Sequence, residues 1–188
     1  MRQWLGNLLA GLVGLTLLGG GASAQDAGGG GATRFILAAS WQPAFCATNR
    51  QKAECRSQTE DRFDARNFSL HGLWPMRKDY CGIDAGIREA DKEGQWESLP
   101  TVQISEGTRL ELEKVMPGTQ SSLDRHEWVK HGSCTGLSAD DYFRLSVELL
   151  DELNGSAVQA LFAANIGKPL DEATIKRAFD ESFGKGGG

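Results

Sequence analysis

The chain has 188 residues, with 20 lysines and arginines, 25 aspartates and glutamates, and a formal net charge of −5. That length is sufficient for one domain with its own hydrophobic core. The charge is not that of a protein that holds nucleic acid along a broad basic surface, so a polyanionic ligand would need a local positive site.

The first residues, 1–24, have the pattern of a secretory signal peptide. Arg2 precedes the apolar run WLGNLLAGLVGLTLLGG, and the small residues ASA at 22–24 form a cleavage pattern. The run is short and broken by glycines, which favours a removed signal peptide over a membrane anchor. Residues 25–33 are expected to be a Gly-rich linker and residues 34–188 the folded domain. The pattern predicts a secreted or periplasmic protein with no stable membrane insertion after signal removal.

The predicted export of the protein determines how its four cysteines are interpreted. They are Cys46, Cys55, Cys81 and Cys134. An even number of cysteines in an oxidising compartment predicts two disulfides, and three connectivities are open. Local pairing of Cys46 with Cys55 would leave Cys81 with Cys134. The alternative is four unpaired cysteines in the core.

Strand patterns come first along the chain. Residues 34–41, RFILAASW, are mostly apolar and lie between the linker and Pro43, which predicts a buried strand. Residues 67–74, NFSLHGLW, predict a second strand that Pro75 ends. The next 25 residues, 76–100, are rich in charge and glycine and predict loops.

Helical patterns dominate the rest of the sequence. N-cap residues and apolar periodicity predict four helices: one from Ser105 to Pro117, one from Ser138 to about Asn154, one over 157–164, and one from Asp171 through Phe183. No internal repeat is present. Strands followed by helices indicate an α+β domain rather than repeated βαβ units.

The three histidines all lie in two short phrases, HGLWP at 71–75 and HEWVKHGSC at 126–134. In the first phrase, strand alternation places His71 on the face opposite Phe68 and Leu70. If the second phrase is a helix capped by Gly132, four ionisable residues share one face within about 140°, while the two apolar residues point into a core. The four are His126, Glu127, Lys130 and His131; the two are Trp128 and Val129.

A charged, solvated helix face would produce the same pattern, but this face carries two of the three histidines. Zinc is a second alternative, with His71 as a third ligand. The zincin helix, however, needs histidines four residues apart, whereas His126 and His131 are five apart. Lys130 would also place a positive charge beside the cation. We therefore predict no metal and no other cofactor.

Acid–base chemistry on a phosphate is the third alternative. One imidazole can accept a proton while another donates one, and a lysine suits a phosphate oxygen that gains negative charge. His71 is the only histidine that can approach from another segment. An RNA 2′-hydroxyl can itself attack the adjacent phosphorus, so no nucleophilic side chain is required. Trp74 offers a face on which a base can stack, although ordinary packing at the strand end explains it equally well.

The phrases FSLHGLWP and HEWVKHGSC resemble the two active-site segments of the ribonuclease T(2) family of secreted endoribonucleases. The upstream SWQPAFC is similar to that family's opening strand and first disulfide half. The resemblance extends from about Arg34 to the helix after Ser138. It implies an α+β fold with a central antiparallel sheet and several helices packed on it, and an enzyme without a cofactor that acts on RNA.

The resemblance also implies a role for each residue of the two motifs. The product would be a 2′,3′-cyclic phosphate, followed by slower hydrolysis to a 3′-phosphate. The implied roles are His71 as general acid, His131 as general base, Glu127 and Lys130 as stabilisers of the phosphorane, His126 as a phosphate contact, and Trp74 as a residue near the bound nucleotide.

The chain departs from the family pattern in two places. Met76 stands where the first segment often continues with an acidic residue, and we expect little effect. Family members usually carry further strands and cysteines after the helices, whereas this sequence ends at ESFGKGGG. We expect the sheet to lack those strands and to expose an edge. The sequence would then be a fragment, a product of a misplaced gene end, or a shortened member of the family.

The alternative function is a secreted RNA- or ligand-binding protein without turnover. Either protein is expected to be a monomer with no obligate protein partner.

Overall fold

The computed structural model describes residues 34–185, so the predicted signal peptide and linker lie outside the described residues. Strand β1 (Phe35–Trp41) pairs antiparallel with β2 (Phe68–Pro75), from Phe35 opposite Pro75 to Trp41 opposite Phe68. Helices pack on this sheet, and α6 (Ala139–Asn154) contacts both strands. The described chain is therefore an α+β domain with an antiparallel sheet, as the sequence predicts.

A β-bulge interrupts the pairing in the middle of β2. Ala38 lies opposite Gly72 and Ala39 lies opposite Leu70, so His71 is an extra residue without a partner on β1. A bulge of this kind shifts the alternation of side chains along a strand. Leu70 and Leu73 both enter the core as a result, although they are three residues apart.

The four helices predicted from N-cap residues and apolar periodicity are all present. Ser105, Ser138 and Asp171 cap their helices, because each side chain accepts a hydrogen bond from a backbone N–H two or three residues into the helix. The helices are α1 (Gln42–Thr48), α2 (Ala53–Arg56), α3 (Ala85–Lys92), α4 (Glu106–Val115), α5 (Leu123–Lys130), α6 as above, α7 (Ala157–Ala164) and α8 (Glu172–Phe183).

Two local predictions were wrong. Residues 76–100 are not all loops, because α3 forms within them; Asp84 caps it by accepting a hydrogen bond from the backbone N–H of Gly86. The His-rich helix also ends earlier than predicted, at Lys130, with His131 rather than Gly132 at the C-cap. A Cβ on Gly132 would lie 2.3 Å from the Trp128 ring, so glycine is required there for packing and not for capping.

The cysteines form two disulfides, Cys46–Cys55 and Cys81–Cys134, with Cα atoms 5.2 Å and 4.9 Å apart.

The outer edge of β1 pairs with no strand among the described residues. An apolar groove beside that edge has lining residues from the sheet, α6 and α8, and Ile36 is 48% exposed. This is the open edge expected of a sheet without further strands. No helix within residues 34–185 is long and apolar enough to cross a membrane.

Candidate active site

Glu127 lies at the centre of the site, on α5, with its side chain fully buried. Its Oε2 accepts a hydrogen bond of 2.8 Å from the Trp74 indole N–H. Its Oε1 is 3.5 Å from Nε2 of His71 and 3.8 Å from Nε2 of His126. Oε1 has no hydrogen-bond partner among the described residues. One buried carboxyl group therefore joins the two histidine motifs.

Gly72 allows Glu127 to approach the strand so closely. A Cβ placed on Gly72 would lie 1.8 Å from Glu127 Oε2 and 2.9 Å from the indole nitrogen of Trp74. Any larger residue would therefore displace the carboxyl group. The sequence carried a signal for this contact, because Gly72 lies between the histidine and the tryptophan of HGLWP.

The bulge and Tyr142 together determine which side chains of β2 face the site. The bulge at His71 puts His71 and Trp74 on the side of Glu127, while Leu73 enters the core. Tyr142 of α6 is fully buried, and its hydroxyl group donates to the Leu73 carbonyl (3.1 Å) and accepts from the Leu73 N–H (3.3 Å). α6 thus anchors the strand between His71 and Trp74.

His131 follows the last residue of α5 and completes the cluster. Its ring stacks on Trp74, with centroids 5.2 Å apart and planes 28° apart. It meets the His126 ring edge-on at 6.4 Å. Its Nδ1 is buried and has no hydrogen-bond partner among residues 34–185. Trp74 therefore orients two groups, Glu127 through its N–H and His131 through its ring face.

The segment after β2 is tied to the end of α5. The backbone N–H of Tyr80 donates to the carbonyl oxygen of Lys130 at 2.8 Å. The Cys81–Cys134 disulfide joins the same two segments one and four residues further along. The end of the His-rich helix is thereby fixed against the strand that carries His71.

His126 has two partners that the sequence did not reveal. Its Nδ1 is 2.7 Å from Oδ1 of Asp91, a residue of α3 that is 3% exposed. Its ring stacks on Trp96 with centroids 4.4 Å apart. Both residues were missed because residues 76–100 were predicted to be loops; the cap residue Asp84 was the available signal for α3.

Burial shifts two pKa values in opposite directions. Burial raises the pKa of Glu127 to about 8, although the Trp74 hydrogen bond and the Lys130 charge act to lower it. Burial also lowers the pKa of His131 to about 4, with smaller contributions from Lys130 and His126. Between about pH 4 and pH 8 the site therefore holds a protonated carboxyl group beside an uncharged imidazole. The same cluster of side chains therefore contains a proton donor and a proton acceptor.

The pKa values of the other two histidines are also lowered, in each case mainly by burial. Lys130 lowers the pKa of His71 and of His126 further, which places its positive charge near all three imidazoles. Asp91 acts in the opposite direction and raises the pKa of His126. Lys130 thus supplies positive charge to a site in a chain that is acidic overall.

All six residues proposed from the motifs lie in one cluster, joined by the contacts and charge interactions given above. They are His71 and Trp74 on β2, His126, Glu127 and Lys130 on α5, and His131 at its end. Within the described part of the chain, no three His, Cys, Asp or Glu side chains are arranged to hold a metal ion.

The family model of the ribonuclease T2 family matches residues 32–187. Ribonuclease I of Escherichia coli (strain K12) is 35% identical over 176 residues, which cover 81% of this chain and 65% of that protein. Intracellular ribonuclease LX of Solanum lycopersicum is 26% identical over 168 residues, 80% of this chain and 62% of that protein. The chain thus spans slightly less than two thirds of the length of these relatives.

Among solved structures, ribonuclease MC1 from the seeds of bitter gourd is 22% identical, with a TM-score of 0.49, over 80% of this chain and 74% of that one. The match of the family model over most of the sequence includes both histidine motifs and both disulfides. The chain therefore belongs to the ribonuclease T2 family.

Proposed function

We propose that the protein is a metal-independent endoribonuclease that cleaves single-stranded RNA. In the first step the 2′-oxygen forms a bond to phosphorus and the bond from phosphorus to the 5′-oxygen breaks, which leaves a 2′,3′-cyclic phosphate. Water then opens the ring to a 3′-phosphate. The observation that carries the proposal is the buried Glu127 Oε1, without a partner among residues 34–185, between His71 and His126.

His131 is the general base of this proposal. Its pKa of about 4 keeps the imidazole neutral at mildly acid pH, so it can accept the proton of the 2′-hydroxyl group. His71 is the general acid that protonates the departing 5′-oxygen. Its side chain is 41% exposed, which gives a leaving group access to the ring.

Glu127 and Lys130 stabilise the phosphorane. A carboxyl group with a pKa of about 8 is protonated at acid pH and can donate a hydrogen bond to a phosphoryl oxygen. Lys130 supplies positive charge, and His126 contacts the phosphate when it is protonated. Trp74 holds Glu127 and His131 in place and lies beside the bound nucleotide.

The two disulfides support a site of action in an oxidising compartment, so we place the protein outside the cytoplasm, secreted or in a periplasm. The predicted leader agrees with this location. RNA is the proposed partner, and the mature protein is proposed to act as a monomer.

The test is incubation of the purified protein with a labelled RNA oligonucleotide at pH 5 in excess chelator. We expect cleavage that persists in chelator and yields cyclic phosphate ends, with no cleavage of the 2′-O-methyl oligonucleotide of the same sequence. Loss of cleavage in chelator would favour a metal site instead. No cleavage under any condition would favour the binding protein without turnover.

Substitutions of the two histidines test the roles of acid and base proposed for them. His71→Phe and His131→Phe should each abolish turnover while the melting temperature stays within a few degrees of the parent. Glu148→Gln on α6 is the matched control, because its side chain is 66% exposed and lies outside the site. An active His131→Phe protein would contradict the base assigned here.

A further inference from the structure

Asp91 contacts His126 at Nδ1, whereas the other ring nitrogen, Nε2, faces Glu127. Asp91 Oδ1 lies 2.7 Å from His126 Nδ1, and its Oδ2 accepts a hydrogen bond of 2.7 Å from the Tyr80 hydroxyl group. Both oxygens of this buried carboxyl group are therefore occupied, and only one of them by His126.

Trp96 holds the same ring by a second route. Its indole N–H donates to the backbone carbonyl oxygen of Asp91 at 3.2 Å, and its ring stacks on His126 at 4.4 Å. The side chain of His126 is 13% exposed. The imidazole is thus restrained in plane by Trp96 and in rotation by Asp91.

The hydrogen bond determines which nitrogen of His126 carries a proton. An ionised carboxylate only accepts hydrogen bonds, so Nδ1 must be the N–H that faces Asp91. Nε2 is then the nitrogen that gains and loses a proton, and it points towards Glu127 Oε1 at 3.8 Å. A cationic His126 presents its Nε2–H to the place where a phosphate oxygen would lie.

The charges around His126 leave Asp91 as the group that favours the cation. On its own helix Glu127 is neutral below about pH 8 and Lys130 is positive. His131 lies at the end of that helix, with its ring 6.4 Å away, and His71 faces the site from β2. Tyr80 acts on the ring through Asp91, to which its hydroxyl group donates a hydrogen bond. Among these neighbours Asp91 is the carboxylate in contact with the ring.

We propose that Asp91 is a positioning residue that fixes the His126 ring with Nε2 directed at the scissile phosphate and favours the cationic imidazole that binds it. Asp91 does not touch the substrate and acts through His126. The kinetic part of this inference rests on the proposed ribonuclease function, whereas the tautomer and titration of His126 do not.

Nuclear magnetic resonance of the imidazole groups tests the ring directly, because the full chain has only three histidines to assign. We expect the neutral His126 of the unmodified protein to carry its proton on Nδ1. In Asp91→Asn we expect the pKa of His126 to fall by about one unit or more, the effect of losing an adjacent carboxylate. Asp151→Asn, at an exposed position on α6, is the matched control and should leave the titration unchanged.

The pH profile of kcat/KM for RNA cleavage separates positioning from a purely structural role. In Asp91→Asn the fall in activity with rising pH should begin at lower pH, because His126 loses its proton earlier. A variant that was only less stable would have a lower kcat/KM at every pH, and the pH at which the fall begins would not change. If the unmodified protein does not cleave RNA, the proposed function fails, and the resonance titration still decides the role of Asp91.

Two outcomes would overturn the proposal. One is a neutral His126 that carries its proton on Nε2 in the unmodified protein, a measurement that needs no variant. The other is an Asp91→Asn protein, folded by circular dichroism, in which the pKa of His126 is unchanged. If Asp91→Asn does not fold, Tyr80→Phe replaces it. Removal of the second hydrogen bond should leave the carboxylate a stronger hydrogen-bond acceptor for His126 and raise the pKa of His126, and no rise would refute the link.

Discussion

Gly72→Ala is the substitution that tests the centre of the site most directly. The new methyl carbon would lie 1.8 Å from Glu127 Oε2 and 2.4 Å from its Cδ. Both distances are far below van der Waals contact, so the Glu127 side chain or the strand must move. Because the side chain of Glu127 is fully buried, the carboxyl group cannot move without displacing its neighbours.

The expected cost has two parts. Overpacking of a buried site costs about 1–3 kcal/mol of unfolding free energy. Displacement of the carboxyl group also breaks its hydrogen bond to the Trp74 indole, and a buried polar group left without a partner costs about 1–3 kcal/mol. We therefore expect a loss of about 2–6 kcal/mol, together with loss of most of the proposed RNA-cleaving activity.

Urea unfolding followed by tryptophan fluorescence measures this loss, and Gly107→Ala is the control. Gly107 lies within α4, and a Cβ there would have no atom within 4 Å. Alanine at such a helical position should raise the unfolding free energy by about 0.5–1 kcal/mol and leave activity unchanged. The two glycine substitutions should therefore change stability in opposite directions.

A double substitution identifies the clash as the cause. Glu127→Asp shortens the side chain by one methylene, which should relieve part of the overlap in the Gly72→Ala background. We expect the double variant to be more stable than the sum of the single changes predicts, by about 0.5 kcal/mol or more. Gly72→Ala with parental stability and activity, or strict additivity with Glu127→Asp, would refute the reasoning.

Three further predictions concern charge and cross-links. Between pH 6.5 and pH 8 the folded protein keeps a proton on Glu127 that the unfolded chain has lost, so the contribution of Glu127 to the unfolding free energy should fall with rising pH by about 1.5 kcal/mol. The three histidines act in the opposite direction, because their pKa values are lowered in the folded protein, so the fall is measured in urea melts as the difference between the parent and Glu127→Gln. The Cys81–Cys134 disulfide closes a loop of sequence separation 53, whereas the Cys46–Cys55 disulfide closes one of 9. Replacing Cys81 and Cys134 by serine should therefore lower the unfolding free energy by about 1.5 kcal/mol more than replacing Cys46 and Cys55. Equal losses in the same urea melts would contradict this. The third prediction concerns salt, because the positive charge is local in a chain of net charge −5. A plot of log kcat/KM for RNA against the logarithm of the salt concentration should have a slope of about −0.7 to −1.4. A slope steeper than about −3 would indicate a broad basic surface.

The sequence alone predicted most of the helical half of the fold and the identity of the histidine cluster. N-cap residues such as Ser105 and Asp171 are local signals, because the cap satisfies backbone groups only a few residues away. Spacing within HEWVKHG similarly placed Glu127 and the two histidines on one side of a helix. Predictions of this kind succeed where the interactions that decide the structure are close in sequence.

What the sequence did not predict depends on contacts between distant segments. Asp91 is a charged residue in a charge-rich helix, and nothing local distinguishes it from its exposed neighbours. Only the packing of α3 against α5 brings its carboxyl group to His126, 35 residues further along. The end of α5 at Lys130 is also a tertiary effect, since Tyr80 hydrogen-bonds the carbonyl group that a longer helix would use.

The bulge at His71 is the feature on which the assembled site depends most. In a regular strand His71 and Leu73 would share a face, and Trp74 would lie on the other, so the histidine and the tryptophan could not both reach Glu127. The extra residue reverses the alternation after His71, which sends Leu73 into the core and turns Trp74 towards Glu127. The same five residues, HGLWP, therefore supply the proposed acid, the space for the carboxyl group and the indole that holds it. Without the bulge, His71 and Trp74 could not both face Glu127.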